Sequence, residues 1–352
     1  MVVTSVVSTR FLANRIINQL RCGWSFALSL FGVVRVRHLP TFVSVEPANF
    51  CQLRCPECPV GIASRLSPHS PTANSQSPIA NRLMTMEIFH RILDNVKEHA
   101  HTMQFYFQGE PLLNKQLPEM IAAAHKAGIY TIVSTNAQSL NQDMANALVH
   151  SGLNRIIVSI DGFSEESYQT YRVGGSLQKA LDALRCLANA KRLYKSHIRI
   201  ESQTLRLKTN EHEWEWIKKN YKKLGATHLV FKTAQLYNFE HGHPLMPTDE
   251  RYSRYRKTAD GRYVHKSSHL SPLALSPHRL IASQPCLRLW SGCVITTSGD
   301  VLPCCYDKDH RHNLGNITTH SLSEIFHSHK ANTLRKHILK GNLPEMCKNC
   351  NH

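Results

Sequence analysis

The chain lacks a run of apolar residues long enough to span a bilayer: Trp24 to Val34 is too short, and no small-residue cleavage site follows it. Neither a membrane-spanning helix nor a removed signal segment is expected. Acid is scarce as well, with 25 Asp and Glu against 42 Lys and Arg, a formal charge of +17 over 352 residues. That deficit favours an acidic partner: an Asp- and Glu-rich peptide, a phosphorylated small molecule, a nucleic acid or an anionic membrane surface. The cations are dispersed and show no aromatic-interleaved motif, which argues against nucleic acid. Cysteine is too dilute for a disulfide scaffold, at eleven in the chain, and a reducing cytoplasm is the natural compartment.

The cysteines are grouped. Cys51, Cys55 and Cys58 form a C-x3-C-x2-C run, six more fall between Cys286 and Cys350, and Cys22 and Cys186 stand alone. Three thiolates at the first spacing hold three irons of a cubane [4Fe–4S] cluster and leave the fourth iron open to a small molecule. Zinc or a redox dithiol is the competing reading, but the third cysteine and the absence of a nearby histidine suit the cluster better. The 22 histidines are scattered, and pairs such as His310/His312 and His327/His329 read as solvated turns and helix faces.

From residue 41 to about 232, short β-branched runs alternate with longer helical stretches. The strands expected are Thr41 to Glu46, Thr102 to Phe107, Ile129 to Ser134, Arg155 to Ile160, Ile198 to Thr204 and Thr227 to Phe231. Between them, helices are expected over Thr85 to His99, Lys115 to Ala127, Asn141 to His150, Leu177 to Tyr194 and Asn210 to Leu224. Alternation of this kind implies α/β structure, a parallel sheet with helices outside it and ligands at the carboxyl ends of the strands. Polar residues fall where that rule places them: Gln108 to Pro111, Ser134 to Asn136, Ser159 to Gly162, Gln203, and Lys232 to Gln235.

The remainder divides by composition. Residues 1–40 read as a basic helical extension packed on the body, with peripheral membrane contact as the other reading. Ser64 to Asn81 reads as a flexible loop, and residues 238–285 as a linker or substrate-facing segment.

The first cysteine run, placed after the first strand, resembles that of the radical S-adenosylmethionine superfamily. The resemblance implies a partial (β/α)6 TIM-like barrel over residues 41–237. It also implies that Cys51, Cys55 and Cys58 hold the cluster whose open iron binds S-adenosylmethionine. Reductive cleavage would then give methionine and a 5′-deoxyadenosyl radical. Gln108-Gly109-Glu110-Pro111 is similar to the family's GGEP segment, which implies that Gly109 and Glu110 meet the methionine ammonium. Asn136 matches the third-strand T-N-G segment, with Ala137 in place of glycine, and Ser159 and Asp161 match S-x-D-G near the ribose and carboxylate.

Residues 286–352 resemble a SPASM-type extension, a small cysteine-rich α+β unit that binds auxiliary clusters. Cys286, then Gly299, Cys304, Cys347 and Cys350 match a shortened, one-cluster version, with Cys293 and Cys305 as spare thiols and a zinc ribbon as the structural alternative. Two clusters would lower the charge to roughly +14. The resemblance implies hydrogen abstraction from a peptide or protein side chain, an acidic precursor peptide as partner and a low-potential electron donor. Carbohydrate or nucleotide-linked substrates are the alternative within the class. Outside it stand an iron–sulfur electron carrier, which would not need the polar strand ends, and a zinc-bearing binding module.

Overall fold

Six short strands pair side by side in chain order: β1 (Phe42–Val45), β2 (Thr102–Phe105), β3 (Tyr130–Thr135), β4 (Arg155–Ser159), β5 (Arg199–Arg206) and β6 (His228–Thr233). Every pair is parallel, from Phe42 opposite Thr102 to Glu201 opposite His228. The computed structural model describes residues 9–66, 83–266, 285–347 and 349–350.

Parallel strands need crossovers, and helices supply them here. A 22-residue helix, α1 (Thr9–Leu30), precedes the first strand, and α2 (Pro59–Leu66) follows the first cysteine run. The crossover helices are α3 (Met86–Val96), α4 (Leu117–Lys126), α5 (Gln142–His150), α6 (Glu165–Tyr171), α7 (Leu177–Leu193) and α8 (Trp214–Asn220). Alternate strand residues Val43, Val45, Met103, Phe105, Ile156, Val158 and Ile200 are buried against Phe89, Ile92, Ile121, Leu148 and Leu184 of those helices. The other face of the strands lines the lumen of a partial barrel.

Two differences from the expected helices have local causes. The stretch from Asn210 begins as a tighter 3₁₀ segment, Lys208–Glu213, before α8. Asn210 is held by Leu207 and Trp214 through Oδ1 and by Asp161 and Leu205 through Nδ2, which fixes that turn in a non-α geometry. The short helix α6 was not expected, and a capping box at Ser164 and Ser167 starts it.

The carboxyl-terminal unit does not sit apart from the sheet. After α9 (Leu287–Ser291), β9 (Gly292–Ile295) pairs in parallel with β1, and β10 (Asp300–Leu302) and β11 (Gly315–Asn316) continue antiparallel. The result is one nine-stranded sheet ordered β11-β10-β9-β1-β2-β3-β4-β5-β6. Two helices close the unit, α10 (Leu322–His327) and α11 (His329–Leu339).

Of the expected flexible loop, Ser64 to Leu66 end α2, and its remainder, 67–81, lies outside the described residues. In the segment from 238, the described part carries a hairpin, β7 (Tyr255–Lys257) with β8 (Tyr263–His265). The Tyr255 ring stacks on Phe239 at 4.1 Å and shares a cluster with Leu236, Leu245, Met246 and the first three cysteines.

Candidate iron–sulfur and cofactor site

The first cysteine run leaves β1 at the carboxyl end of the strand and turns into α2. Cys58 N donates to Cys55 O at 3.3 Å and Arg54 N to Val173 O at 2.9 Å, which anchors the loop across the barrel mouth. Gly61 on α2 sits against that loop: a Cβ there would lie 2.3 Å from Cys55 O and 2.7 Å from Cys55 N. Only glycine permits this approach.

The three thiols face one another. Burial pushes the Cys51 thiol up to about 12, and Glu110, Cys55 and Cys58 push the same way. Burial also raises Cys55, with the Arg172 guanidinium opposing. Leu53 N and Asn136 Nδ2 both donate to Cys51 Sγ at 3.3 Å, and Arg172 approaches Cys55 Sγ at 4.0 Å. Donors aimed at sulfur stabilise a thiolate in a cluster and tune its potential. Among the described residues, no group of three or more His, Cys, Asp or Glu side chains is spaced to hold a single metal ion. Three neighbouring thiols on one loop are the donor set a cubane takes, each able to bind one of its irons.

The strand ends form a bed beside these sulfurs. Gly109, at φ +59°, packs on the segment before Cys51, where an added Cβ would lie 2.2 Å from Ala48 O. Glu110 N then donates to Phe50 O at 2.8 Å. The Glu110 carboxylate accepts from Leu112 N at 3.1 Å, Thr135 Oγ1 at 2.6 Å and Asn136 N at 2.8 Å, bracing the end of β2 to the end of β3. Its donors are thus the chain's own, and burial raises its pKa. Ala137, in the place where the family segment has glycine, takes φ +62° all the same.

On the far side of the mouth, Ser159 ends β4 opposite Gln203. Asp161 is buried; its Oδ1 accepts from Leu205 N at 2.6 Å, and its Oδ2 from Arg172 at 2.6 Å. Two buried acceptors at this rim, Gln108 Oε1 and Gln203 Oε1, have no hydrogen-bond partner. A cofactor bearing an ammonium and ribose hydroxyls carries the donors such acceptors need. Arg172 had no motif to mark it in the sequence, and only the fold brings it to Asp161 and Cys55.

The second cysteine group lies across the lumen. Burial pushes the Cys304 thiol up to about 12, with Cys305, Cys286 and Cys347 adding to it; Cys347, also raised to about 12 by burial, feels Cys286 and Cys350. Cys304 therefore lies within reach of Cys305, Cys286 and Cys347, and Cys347 within reach of Cys286 and Cys350, while Tyr306 N donates to Cys304 Sγ at 3.4 Å. Cys305 turns toward the lumen, where Arg288 donates to its sulfur at 3.3 Å. Cys293 on β9 packs in the main core.

Between the two groups, the lumen is cationic. Lys308 lies within electrostatic reach of Cys58 on one side and Cys305 on the other, and burial lowers its pKa. Its backbone carbonyl accepts from Gln108 Nε2 at 2.8 Å, tying the end of β2 to the carboxyl-terminal unit. Lys232 on β6 faces Glu201, Arg155, Arg288 and Arg254. Glu201 is already shared by Arg155 at 2.7 Å and Arg199 at 3.2 Å, so three cations divide one carboxylate.

A family model for the radical SAM superfamily matches residues 45–200, and one for an iron–sulfur cluster-binding domain, SPASM, matches residues 286–351. A PqqA peptide cyclase of Rhizobium meliloti (strain 1021) is 25% identical over 323 residues, which is 88% of this chain and 79% of that protein. An Fe-coproporphyrin III synthase of Methanosarcina barkeri (strain Fusaro / DSM 804) is 30% identical over 93 residues, 26% of this chain and 23% of its own length. Among solved structures, Streptococcus suis SuiB aligns with a TM-score of 0.63 at 12% identity, covering 99% of this chain and 79% of its own. The anSMEcpe enzyme with bound AdoMet aligns at 0.58 and 19% identity, covering 89% and 83%.

Proposed function

The chain belongs to the radical S-adenosylmethionine superfamily and carries a SPASM iron–sulfur domain at its carboxyl end, and from that premise we propose that it modifies a side chain of an acidic precursor peptide. The observation that carries this reading is the cationic lumen between two facing thiol groups, with Lys308 in reach of both Cys58 and Cys305. Relatives named for peptide chemistry support it: the PqqA peptide cyclase, and SuiB, whose structure has been solved bound to the precursor peptide SuiA.

In this reading Cys51, Cys55 and Cys58 hold the cofactor-binding [4Fe–4S] cluster, and Cys286, Cys304, Cys347 and Cys350 hold the auxiliary one. The chemistry supplied on binding is reductive cleavage of S-adenosylmethionine to a 5′-deoxyadenosyl radical, which takes a hydrogen atom from substrate. Gly109, Glu110 and Asn136 shape the ammonium side of the cofactor bed, and Ser159 and Asp161, with Arg172, the ribose and carboxylate side. Lys232, Arg155 and Arg254 orient an acidic group of the substrate, and the walled lumen keeps water from the reacting carbon. A low-potential donor supplies the electron, and a reducing cytoplasm keeps the thiols available.

Anaerobic reconstitution with iron and sulfide, followed by S-adenosylmethionine and dithionite, tests the premise through release of 5′-deoxyadenosine. Product that disappears in Cys55→Ala and survives in Cys347→Ala supports the division of roles. An iron-loaded chain that forms none overturns it. Substrate class is tested with acidic and charge-neutral peptides against a phosphorylated sugar, read as deuterium transfer from substrate into 5′-deoxyadenosine; transfer from the sugar alone overturns the peptide reading.

A further inference from the structure

Helix α1 is turned inside out. Its buried residues include Arg15, Asn18, Cys22, Ser25 and Ser29, whereas Leu12, Ile16, Ile17, Leu20 and Trp24 face solvent. A helix on a globular protein ordinarily does the reverse. Polar contacts explain the seam. Arg15 donates to Lys97 O, Ala127 O and Gly128 O at 2.6–2.7 Å, closing the carboxyl ends of α3 and α4. Asn18 holds Leu39 by a reciprocal pair at 2.9 Å, and Ser25 meets His38, whose ring reaches Trp290 O at 2.7 Å. The helix is therefore docked firmly, in an orientation that presents its apolar stripe outward.

The stripe is long and strongly exposed. Leu20 is 69% exposed, Trp24 66% and, just past the helix, Phe31 70%. Arg10, Arg21, Arg35 and Arg37 are exposed around it, and Arg21, Arg35 and Arg37 share one depression with Leu20 and Trp24. The first acidic residue of the whole chain is Glu46. An apolar stripe with an outward tryptophan and a rim of four arginines, with one carboxylate, Glu98, held at its edge by Asn14 at 3.1 Å, matches the acyl boundary and anionic headgroups of a lipid surface. A second copy of the chain fits poorly, because two such faces would bring arginine rims together with no acid from this segment to pair them. The helix is not one that crosses a membrane.

We propose that the outward face of α1, with Phe31, Arg35 and Arg37, docks the protein onto an anionic membrane surface. This is independent of the reaction proposed above. Docking would place the active site near substrates or electron donors held at that surface.

Sedimentation of the reconstituted full chain with phosphatidylcholine vesicles, with and without phosphatidylglycerol, tests it under anaerobic conditions. The chain is expected to pellet with anionic vesicles, less so at high salt, and to shift its tryptophan emission to the blue unless Trp24 is replaced by Phe. The double variant Leu20→Glu/Trp24→Glu is expected to bind at least about tenfold more weakly, from the loss of two exposed apolar anchors, with iron content and S-adenosylmethionine cleavage unchanged. Wild-type protein that ignores both vesicles, or binding that this variant leaves intact, overturns the proposal. So does a wild-type dimer that the same variant dissociates, which would assign the face to a second copy.

Discussion

The Arg172 guanidinium closes on Asp161, with Nε and one terminal nitrogen each 2.6 Å from the same carboxylate oxygen. The pair is buried at the cofactor side of the barrel mouth, and its other terminal nitrogen is aimed at Cys55 Sγ. Asp161 and the sulfur environment keep this arginine charged, its pKa raised well above the ordinary value despite the cost of burial. One cation thus joins the fourth strand end to the first cysteine loop.

Arg172→Ala is expected to leave the Asp161 carboxylate buried without its cation and to cost about 3–5 kcal/mol. Arg172→Lys retains the charge but not the planar fork, so it is expected to fold better than the alanine variant and still bind S-adenosylmethionine more weakly than wild type. Anaerobic calorimetry for the cofactor, with denaturant midpoints for both variants, checks this. Unchanged stability in Arg172→Ala would show that the pair contributes nothing.

Glu46 supplies a pH dependence. Burial pushes its carboxyl from 4.5 up to about 8, against weaker help from the Thr297 and Gln108 backbone N–H groups. The folded chain therefore binds an extra proton between those values, and the associated stability is full below about 4.5 and is lost as pH rises through about 8. Glu46→Gln keeps the neutral form at every pH. The wild-type unfolding midpoint is expected to fall from about pH 6 to about pH 9 more steeply than that of the variant. Parallel slopes would rule out Glu46 as the cause.

Gly61→Ala is expected to displace the cysteine loop, because the atoms its Cβ meets are Cys55 backbone, which cannot rotate away. A strain of about 1–3 kcal/mol falls on the loop that carries the ligands. In a Cys347→Ala/Cys350→Ala background, which isolates the first site, Gly61→Ala should lower bound iron and broaden the cluster's electron paramagnetic resonance signal. Full iron content with an unchanged signal would mean that the loop gives way freely.

The barrel was legible because its strands are short β-branched runs with period-two burial against apolar helices, as Val43, Val45, Met103 and Phe105 show. The cysteine sites were legible through spacing along the chain. What escaped depends on distance in sequence. Nothing local marks Gly292 to Ile295 as the neighbour of β1, some 250 residues away, nor Arg172 as the partner of Asp161 and Cys55. The inward polar face of α1 was equally hidden, since its partners are backbone carbonyls at the ends of α3 and α4.

The three cysteines of the 293–305 stretch separate by what each faces. Cys304 neighbours Cys305, Cys286 and Cys347, Cys305 also accepts from Arg288, and Cys293 lies in the core. With two cubanes the chain should carry about eight irons, and Cys304→Ala should leave about four. Cys305→Ala should keep all of them and instead alter turnover, because its sulfur borders the substrate space rather than the metal. Cys293→Ala should keep both iron and turnover, at about 1 kcal/mol of stability for the lost buried atom. Iron and sulfide assays on the anaerobically reconstituted variants decide among them. Loss of half the iron in Cys305→Ala, with Cys304→Ala intact, would exchange the roles of these neighbours.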